Sequence, residues 1–283
     1  MVAKIVDGRK IAEKIRKNVS IEVQNLKSKY KVIPNIVTIK IGNNPESNLY
    51  LKLRNNACEK VGIIPKTLDL PENVSEDEIV KVIKDLNEDK KVHGILIQLP
   101  IPKHLSQGKL IELIDPAKDV EGFTPYNMGR MLNGDEHIIP CTPLAVLKIL
   151  EEEKTRFQGK DIVIVNHSTV VGKPLCALFL NRNATVAVTH IFTKDFKKYA
   201  KEADILVSAT GVPDLIKKEH VKSGAFVVDV GIVATKTGVT GDLDADVKDV
   251  AGVITPVPGG VGPVTVACSL INMITTFRNC MEK

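Results

Sequence analysis

Apolar positions alternate along the chain between two spacings. Ile11, Ile15, Val19 and Leu26, with Glu22 among them, return at helical spacing between Lys, Arg and Glu, so residues 9–29 predict an amphipathic helix after a short opening strand. Asn35–Ile41 (NIVTIKI) reads as a strand, its β-branched residues suited to a pleated surface, and Gly42-Asn43-Asn44-Pro45 ends it. Ser47 is the expected cap of the next helix, which turns Tyr50, Leu53, Ala57 and Val61 to one side. An apolar run over 63–70, a helix over 75–88 and a buried strand over Gly94–Pro102 follow. Residues 115–143 differ, being dense in Pro, Gly, Asp, Asn and Tyr, and read as shaped loops facing a cleft. A second series begins near 160, with strands at 161–165, 185–189, 205–209, 225–230 and 252–254. Pro174 is tolerated in a helical first turn, and a terminal helix covers 263–279. Short apolar strands alternating with helices imply βαβ units, hence an α/β fold with mainly parallel sheets. The expected division is a first domain over 1–143, completed by the helix at 265–283, and a second over 144–264.

Composition narrows the class. The chain has 283 residues, 43% hydrophobic and 26% charged, with mean hydropathy +0.03, which suits a folded protein of about two domains. Its 39 basic and 34 acidic residues leave a net charge of +5, with no Lys/Arg block and no aromatic ladder. That balance admits a small anionic substrate and gives no reason to expect nucleic acid. No 18-residue apolar run or leader segment is present, so no membrane is expected. The five cysteines, at 58, 141, 176, 268 and 280, lie far apart without ligand or disulfide spacing. A reducing cytosol and no metal are the expectation.

Candidate chemistry gathers where strands end. Ile162–Val165 runs into Asn166-His167-Ser168-Thr169-Val170-Val171-Gly172, a strand-to-helix turn expected to offer free backbone N–H groups to a pyrophosphate. It is not GxGxxG, since Asn166 and Ser168 stand at the glycine positions, and a purely structural turn is an equal reading. Ser208-Ala209-Thr210-Gly211, Asp229-Val230-Gly231-Ile232 and Thr255–Pro263 each follow a strand, and in a parallel sheet those ends share one edge. Asp229 reads as a catalytic acid or as a loop-fixing carboxylate.

In these residues and their order the chain resembles the bifunctional methylenetetrahydrofolate dehydrogenase / methenyltetrahydrofolate cyclohydrolase (FolD) family. The likeness rests on Gly94–Pro102 with Gln98, Lys118–Phe123, Asn127–Arg130, Pro140–Pro143 and, most specifically, Pro256–Thr265. It implies a folate-binding first domain, a Rossmann-type NAD(P) domain over 144–264, a cleft between them and a homodimer. It also implies NADP-dependent oxidation of 5,10-methylenetetrahydrofolate, then hydrolysis of the methenyl cation to 10-formyltetrahydrofolate. Tyr50 takes the place of the family's pterin-stacking tyrosine and Gln98 that of its catalytic glutamine. Leu99, Pro100, Pro258, Gly259 and Gly260 fall at substrate positions. Cofactor positions fall on Thr142, Asn166, His167, Ser168, Val171, Gly172, His190, Ile191, Thr210, Gly211, Gly231, Ile232 and Thr265.

Three positions depart from that pattern. Arg54 stands where the family has a catalytic lysine, and a guanidinium does not act as a general base. Lys52 is two residues away, about 160° around a helix, and reads as a solvent-facing charge. Glu121 stands where the family has a pterin-binding aspartate; it either ion-pairs with Arg54 or compensates for it. Asn166-His167-Ser168 replaces Gly-Arg-Ser, removing an arginine that reads the NADP 2′-phosphate. His167 and His190 are the substitutes, Ile191 makes no such contact, and NAD stays open as the alternative cofactor. Arg54 raises the alternative of a dehydrogenase with weak or absent cyclohydrolase activity. The three changes together raise a second, a non-catalytic folate- or nucleotide-binding protein.

Overall fold

A computed structural model of the chain describes residues 2–235 and 238–282, without the side chain of Glu46. In chain order the elements are β1 (Lys4–Ile5), α1 (Gly8–Tyr30), β2 (Asn35–Ile41), α2 (Pro45–Val61), β3 (Ile64–Leu70), α3 (Glu76–Glu88) and β4 (Gly94–Ile97). Then come α4 (Gln107–Glu112), α5 (Pro125–Leu132), α6 (Cys141–Glu152), β5 (Asp161–Val165), α7 (Gly172–Leu180), β6 (Thr185–Thr189) and α8 (Phe196–Ala200). The last are β7 (Ile205–Ser208), β8 (Phe226–Asp229), β9 (Val233–Thr235), β10 (Gly238–Thr240), β11 (Val253–Ile254) and α9 (Val261–Met281).

The chain divides into two compact units. One comprises 13–130, 136–141 and 266–283, the other 1–12, 131–135 and 142–265. The first is built on a parallel three-stranded sheet in the order β3-β2-β4. The central strand β2 is covered on both faces, so nearly all of its residues are buried. Val37, Ile39 and Ile41 join a core with Ile79 and Ile83 of α3. Ile36 joins a second core with Val19, Val23 and Leu26 of α1, Ala57, Cys58 and Val61 of α2, and Leu270, Met273 and Phe277 of α9. Phe277 is fully buried, with ring centroids 4.8 Å from His93 and 5.9 Å from Tyr30. Burial of a side chain that size contributes about 1.5–3 kcal/mol.

Helix starts follow local chemistry. Ser75 caps α3 and exchanges hydrogen bonds with Glu78, a capping box. At α2 the cap is Asn44 rather than Ser47: the Asn44 side chain accepts from the Ser47 N–H at 3.0 Å, and Pro45 takes the first helical position. Ser47 lies one turn in and donates its hydroxyl to the Leu99 carbonyl at 3.0 Å. On the same helix Leu53 is exposed, while Ala57 and Val61 are buried and Lys52 faces solvent. The stretch 115–143 is not loop throughout, since α5 forms within it, with the Thr124 hydroxyl accepting from the Asn127 N–H.

The second unit holds a parallel six-stranded sheet in the order β1-β11-β8-β7-β5-β6. β1, at the head of the chain, pairs with β11 of this sheet. β5 has β6 on one side and β7 on the other, so the order reverses there. The carboxyl end of β5 is therefore the switch point where such sheets bind ligands. β9 and β10 form a separate antiparallel pair. Among the described residues, no helix is long and apolar enough to cross a membrane.

Candidate active site

In the three-stranded unit, α2 carries Tyr50 and Arg54 one turn apart on the same stripe as Ala57 and Val61. Arg54 is 0% exposed. Its Nη2 donates to the Thr38 hydroxyl on β2 at 2.6 Å, and its guanidinium carbon lies 5.9 Å from the centroid of the Tyr50 ring. Nε and Nη1 have no hydrogen-bond partner among the described residues. A buried charge so incompletely paired is costly unless something else accepts from it.

Gln98 follows β4. Its backbone N–H donates to Ile39 O at 2.9 Å and its Nε2 to Leu99 O at 3.1 Å, while Oε1 is buried without a partner among the described residues. Leu99 O thus accepts from both Gln98 and Ser47, tying the end of β4 to the first turn of α2. Leu99 is partly exposed and Pro100 exposed.

Glu121 is held by the segment before α5. An isolated parallel bridge joins Ile95 to Asp119. The Asp119 carboxylate accepts from the Gly122 N–H at 2.9 Å, the Thr124 N–H at 2.8 Å and Asn127 Nδ2 at 3.0 Å. Glu121 keeps part of its surface open, but its carboxyl end is enclosed, and that burial raises its pKa against the opposing pull of Arg54 and a Cys141 hydrogen bond. Burial also raises the Tyr50 phenol well above its usual value, and the Cys141 thiol likewise. Of the two readings of these changes, the direct Arg54–Glu121 ion pair is not found among the described residues, and Arg54 Nη2 donates instead to Thr38. Tyr50, Arg54 and Glu121 do share one enclosed environment, with Cys141 as a fourth member. Cys141 Sγ also lies 3.6 Å from the Val120 carbonyl and 3.6 Å from Asn272 Nδ2.

Thr38 and Cys141 were not among the sequence candidates. The signal for Thr38 was a hydroxyl inside an otherwise apolar stretch, NIVTI; for Arg54 burial it was a charge at a stripe position.

In the six-stranded unit the turn after β5 has the features of the structural one of its two readings. Asn166 Oδ1 accepts from the Ser168 and Gly172 N–H groups at 2.7 and 3.1 Å, and the Ser168 hydroxyl accepts from the Val171 N–H at 3.1 Å. The Lys173 N–H donates to Ser168 O, and Asn166 Nδ2 donates to Ala209 O at 2.6 Å. The amides expected to be free are largely taken, because short polar side chains at the two glycine positions close the turn themselves. Gly172 is required here, since a Cβ would stand 2.1 Å from Asn166 O.

At the adjoining strand end the His167 and His190 rings stack with centroids 4.5 Å apart. The Phe192 N–H donates to His190 Nδ1 at 3.2 Å, which places the proton of the neutral ring on Nε2. Ile191 and Phe192 are 86% and 81% exposed. Asp229 is a loop-fixing carboxylate: it accepts from the Gly231, Asp242 and Leu243 N–H groups at 2.9, 3.0 and 3.1 Å. Asp242, which sequence reading missed, accepts from the Ser208 hydroxyl at 2.6 Å and from the Thr210 and Val212 N–H groups. Together they set the loops carrying Thr210, Gly211, Gly231 and Ile232. Gly260 N donates to Pro256 O at 2.8 Å, Gly259 sits at φ +105°, and Pro258 is exposed. Thr265 is buried, its hydroxyl on Val261 O, and Thr142 is partly exposed in the first turn of α6. Among the described residues no His/Cys/Asp/Glu cluster could hold a metal.

A dinucleotide-type parallel sheet in one unit and an enclosed cation, carboxyl and amide in the other define a two-unit α/β enzyme of the nucleotide-dependent class. The tetrahydrofolate dehydrogenase/cyclohydrolase catalytic-domain family matches residues 6–121, and the NAD(P)-binding domain of the same family matches 140–281. The chain is 52% identical over 266 residues to the bifunctional protein FolD of Methanosarcina barkeri, covering 94% of this chain and 93% of that one. It is 47% identical to the Aquifex aeolicus protein of the same name, covering 98% and 96%. The crystal structure of the Campylobacter jejuni FolD enzyme superposes with a TM-score of 0.95 at 41% identity, covering 98% of this chain and 99% of that one. The Trypanosoma brucei enzyme, complexed with NADP cofactor and inhibitor, gives 0.95 at 34% identity, covering all of both chains. This chain belongs to the tetrahydrofolate dehydrogenase/cyclohydrolase family.

Proposed function

We propose that the chain oxidises 5,10-methylenetetrahydrofolate by hydride transfer to NADP and hydrolyses the 5,10-methenyl cation so formed to 10-formyltetrahydrofolate. Beyond family membership, the observation that carries this reading is the buried Arg54 with two nitrogens lacking an acceptor among the described residues, in one environment with Tyr50 and Glu121. A reduced pterin supplies the flat ring for Tyr50 and the oxo and ring-nitrogen acceptors for Arg54. Gln98 Oε1, also unpartnered, accepts from its amine or ring N–H groups. NADP, when bound, accepts the hydride at its nicotinamide ring.

The residues of the six-stranded sheet fit such a cofactor. Exposed Ile191, Phe192, Val212 and Ile232 offer apolar faces for flat rings, and Gly211, at φ +68°, has open space where a side chain would stand. His167 and His190 are the proposed readers of the 2′-phosphate, with His190 Nε2–H as a donor. Support for NADP over NAD is that β6 ends in Thr189-His190-Ile191, with no Asp or Glu to take a ribose diol. A homodimer in the cytosol is part of the same proposal. Purified chain should reduce NADP in the presence of methylenetetrahydrofolate and should accelerate methenyltetrahydrofolate hydrolysis above the spontaneous rate. Absence of both activities would overturn the reading.

A further inference from the structure

Arg54 is held by one neighbour. Among the described residues its guanidinium makes a single hydrogen bond, from Nη2 to the Thr38 hydroxyl at 2.6 Å, while Nε and Nη1 are buried without one. Thr38 lies at the middle of β2, opposite Thr67 of β3 on one side and Leu96 of β4 on the other, and is 1% exposed. Side chains alternate across a strand, so Thr38 shares a face with Ile36, which packs in the core that holds Ala57, Cys58 and Val61 of α2. A buried hydroxyl is unfavourable unless bonded, and an apolar residue would fill this place without that cost. The partner the structure gives the hydroxyl is Arg54. A guanidinium is planar and carries its five N–H donors in fixed directions. Tying one corner of it to a strand that is paired on both sides sets the plane, and with it the directions of the Nε and Nη1 N–H groups. The Tyr50 ring centroid is 5.9 Å from the guanidinium carbon, so the same bond fixes the cation relative to that ring.

We propose that Thr38 is a positioning residue for the folate, a role that rests on the functional reading above. Its hydroxyl holds the Arg54 guanidinium in the orientation in which Nε and Nη1 meet the oxo and ring-nitrogen acceptors of a reduced pterin lying on Tyr50. Thr38 itself touches neither substrate nor cofactor and exchanges no proton. Its bond has an ionised donor and a short length, which places it among the stronger hydrogen bonds. Without the hydroxyl the guanidinium stays buried and charged but is free to turn on its stem, and the ligand must then order it on binding.

The test is a series at this position that separates hydroxyl from shape. It is read as the dissociation constant of a non-reacting tetrahydrofolate analogue by isothermal titration, and as KM against kcat for methylenetetrahydrofolate. Thr38→Val keeps the volume and removes the hydroxyl, Thr38→Ser keeps the hydroxyl and removes a methyl group, and Thr38→Ala removes both. The two hydroxyl-free variants should bind the analogue about tenfold more weakly, the worth of one charge-assisted hydrogen bond, with the loss falling on KM more than on kcat. Thr38→Ser should bind within about threefold of the parent. Binding by Thr38→Val within about twofold of the parent, or binding by Thr38→Ser as weak as that by Thr38→Ala, would overturn the proposal, because the position would then act through packing alone. A parent chain that neither binds the analogue nor turns over would sink the functional reading, and this role with it. Far-UV circular dichroism establishes that each variant is folded, and Thr38→Ser against Thr38→Ala decides the matter if Thr38→Val does not fold.

Discussion

The two units treat buried polar groups in opposite ways. At the carboxyl edge of the six-stranded sheet, Asn166, Ser168, Asp229 and Asp242 take up the loop N–H groups with their own side chains. In the three-stranded unit, Arg54 Nε and Nη1 and Gln98 Oε1 are buried without such partners among the described residues. An unsatisfied buried group costs about 1–3 kcal/mol, and more when charged, so it persists where a ligand completes it. One region is a finished cradle; the other leaves buried polar groups that, on the proposed function, the folate completes.

Breaking the cradle carries the largest expected effect. Asp242→Ala removes the acceptor of the Ser208 hydroxyl and two amides and should lower the unfolding free energy by about 3–5 kcal/mol in urea titrations. A loss under about 1 kcal/mol would mean that the loops hold themselves and that the contrast between the units fails.

Asp229 sharpens the contrast through pH. Burial, with Asp242 adding to it, raises its pKa to about 6 against the opposing backbone hydrogen bonds. For a carboxyl whose folded pKa lies above the unfolded one, the stabilising contribution is full below about pH 4 and is lost as pH rises through 6. The stability difference between the parent and Asp229→Asn should therefore change by about 3 kcal/mol between pH 4 and 7, to the parent's disadvantage at the higher pH. A flat difference would place the carboxylate in a solvated setting.

A smaller effect is expected where the cradle meets the cofactor. His167→Ala should reduce the NADP-over-NAD preference in kcat/KM about tenfold, the worth of one charge-assisted hydrogen bond, and leave hydrolysis intact. An unchanged preference would assign phosphate reading to other groups.

The strands at 35–41, 161–165 and 185–189 were legible because β-branched runs bounded by turn residues leave few other readings. The cap of α2 was less so. Asn44 and Ser47 are both short and polar, and Pro45 at the first helical position decides between them only when the backbone is seen. The turn at Asn166 stayed open between two readings because sequence shows which residues can bond a backbone amide, not which amides are left over. The folate-side candidates Tyr50, Gln98 and Glu121 were named through resemblance. The bond that holds Arg54 was not, since sequence does not show that the Thr38 hydroxyl on β2 lies opposite this position of α2.

Arg54→Met gives the most direct measurement, made as thermal unfolding with and without a tetrahydrofolate analogue. Exchanging an incompletely paired buried charge for an apolar side chain of similar length is often neutral or stabilising, so the free variant should melt at or above the parent while the shift produced by the folate analogue disappears. A free variant that melts several degrees lower, with the folate shift intact, would mean that the guanidinium holds the fold together and takes no part in the ligand.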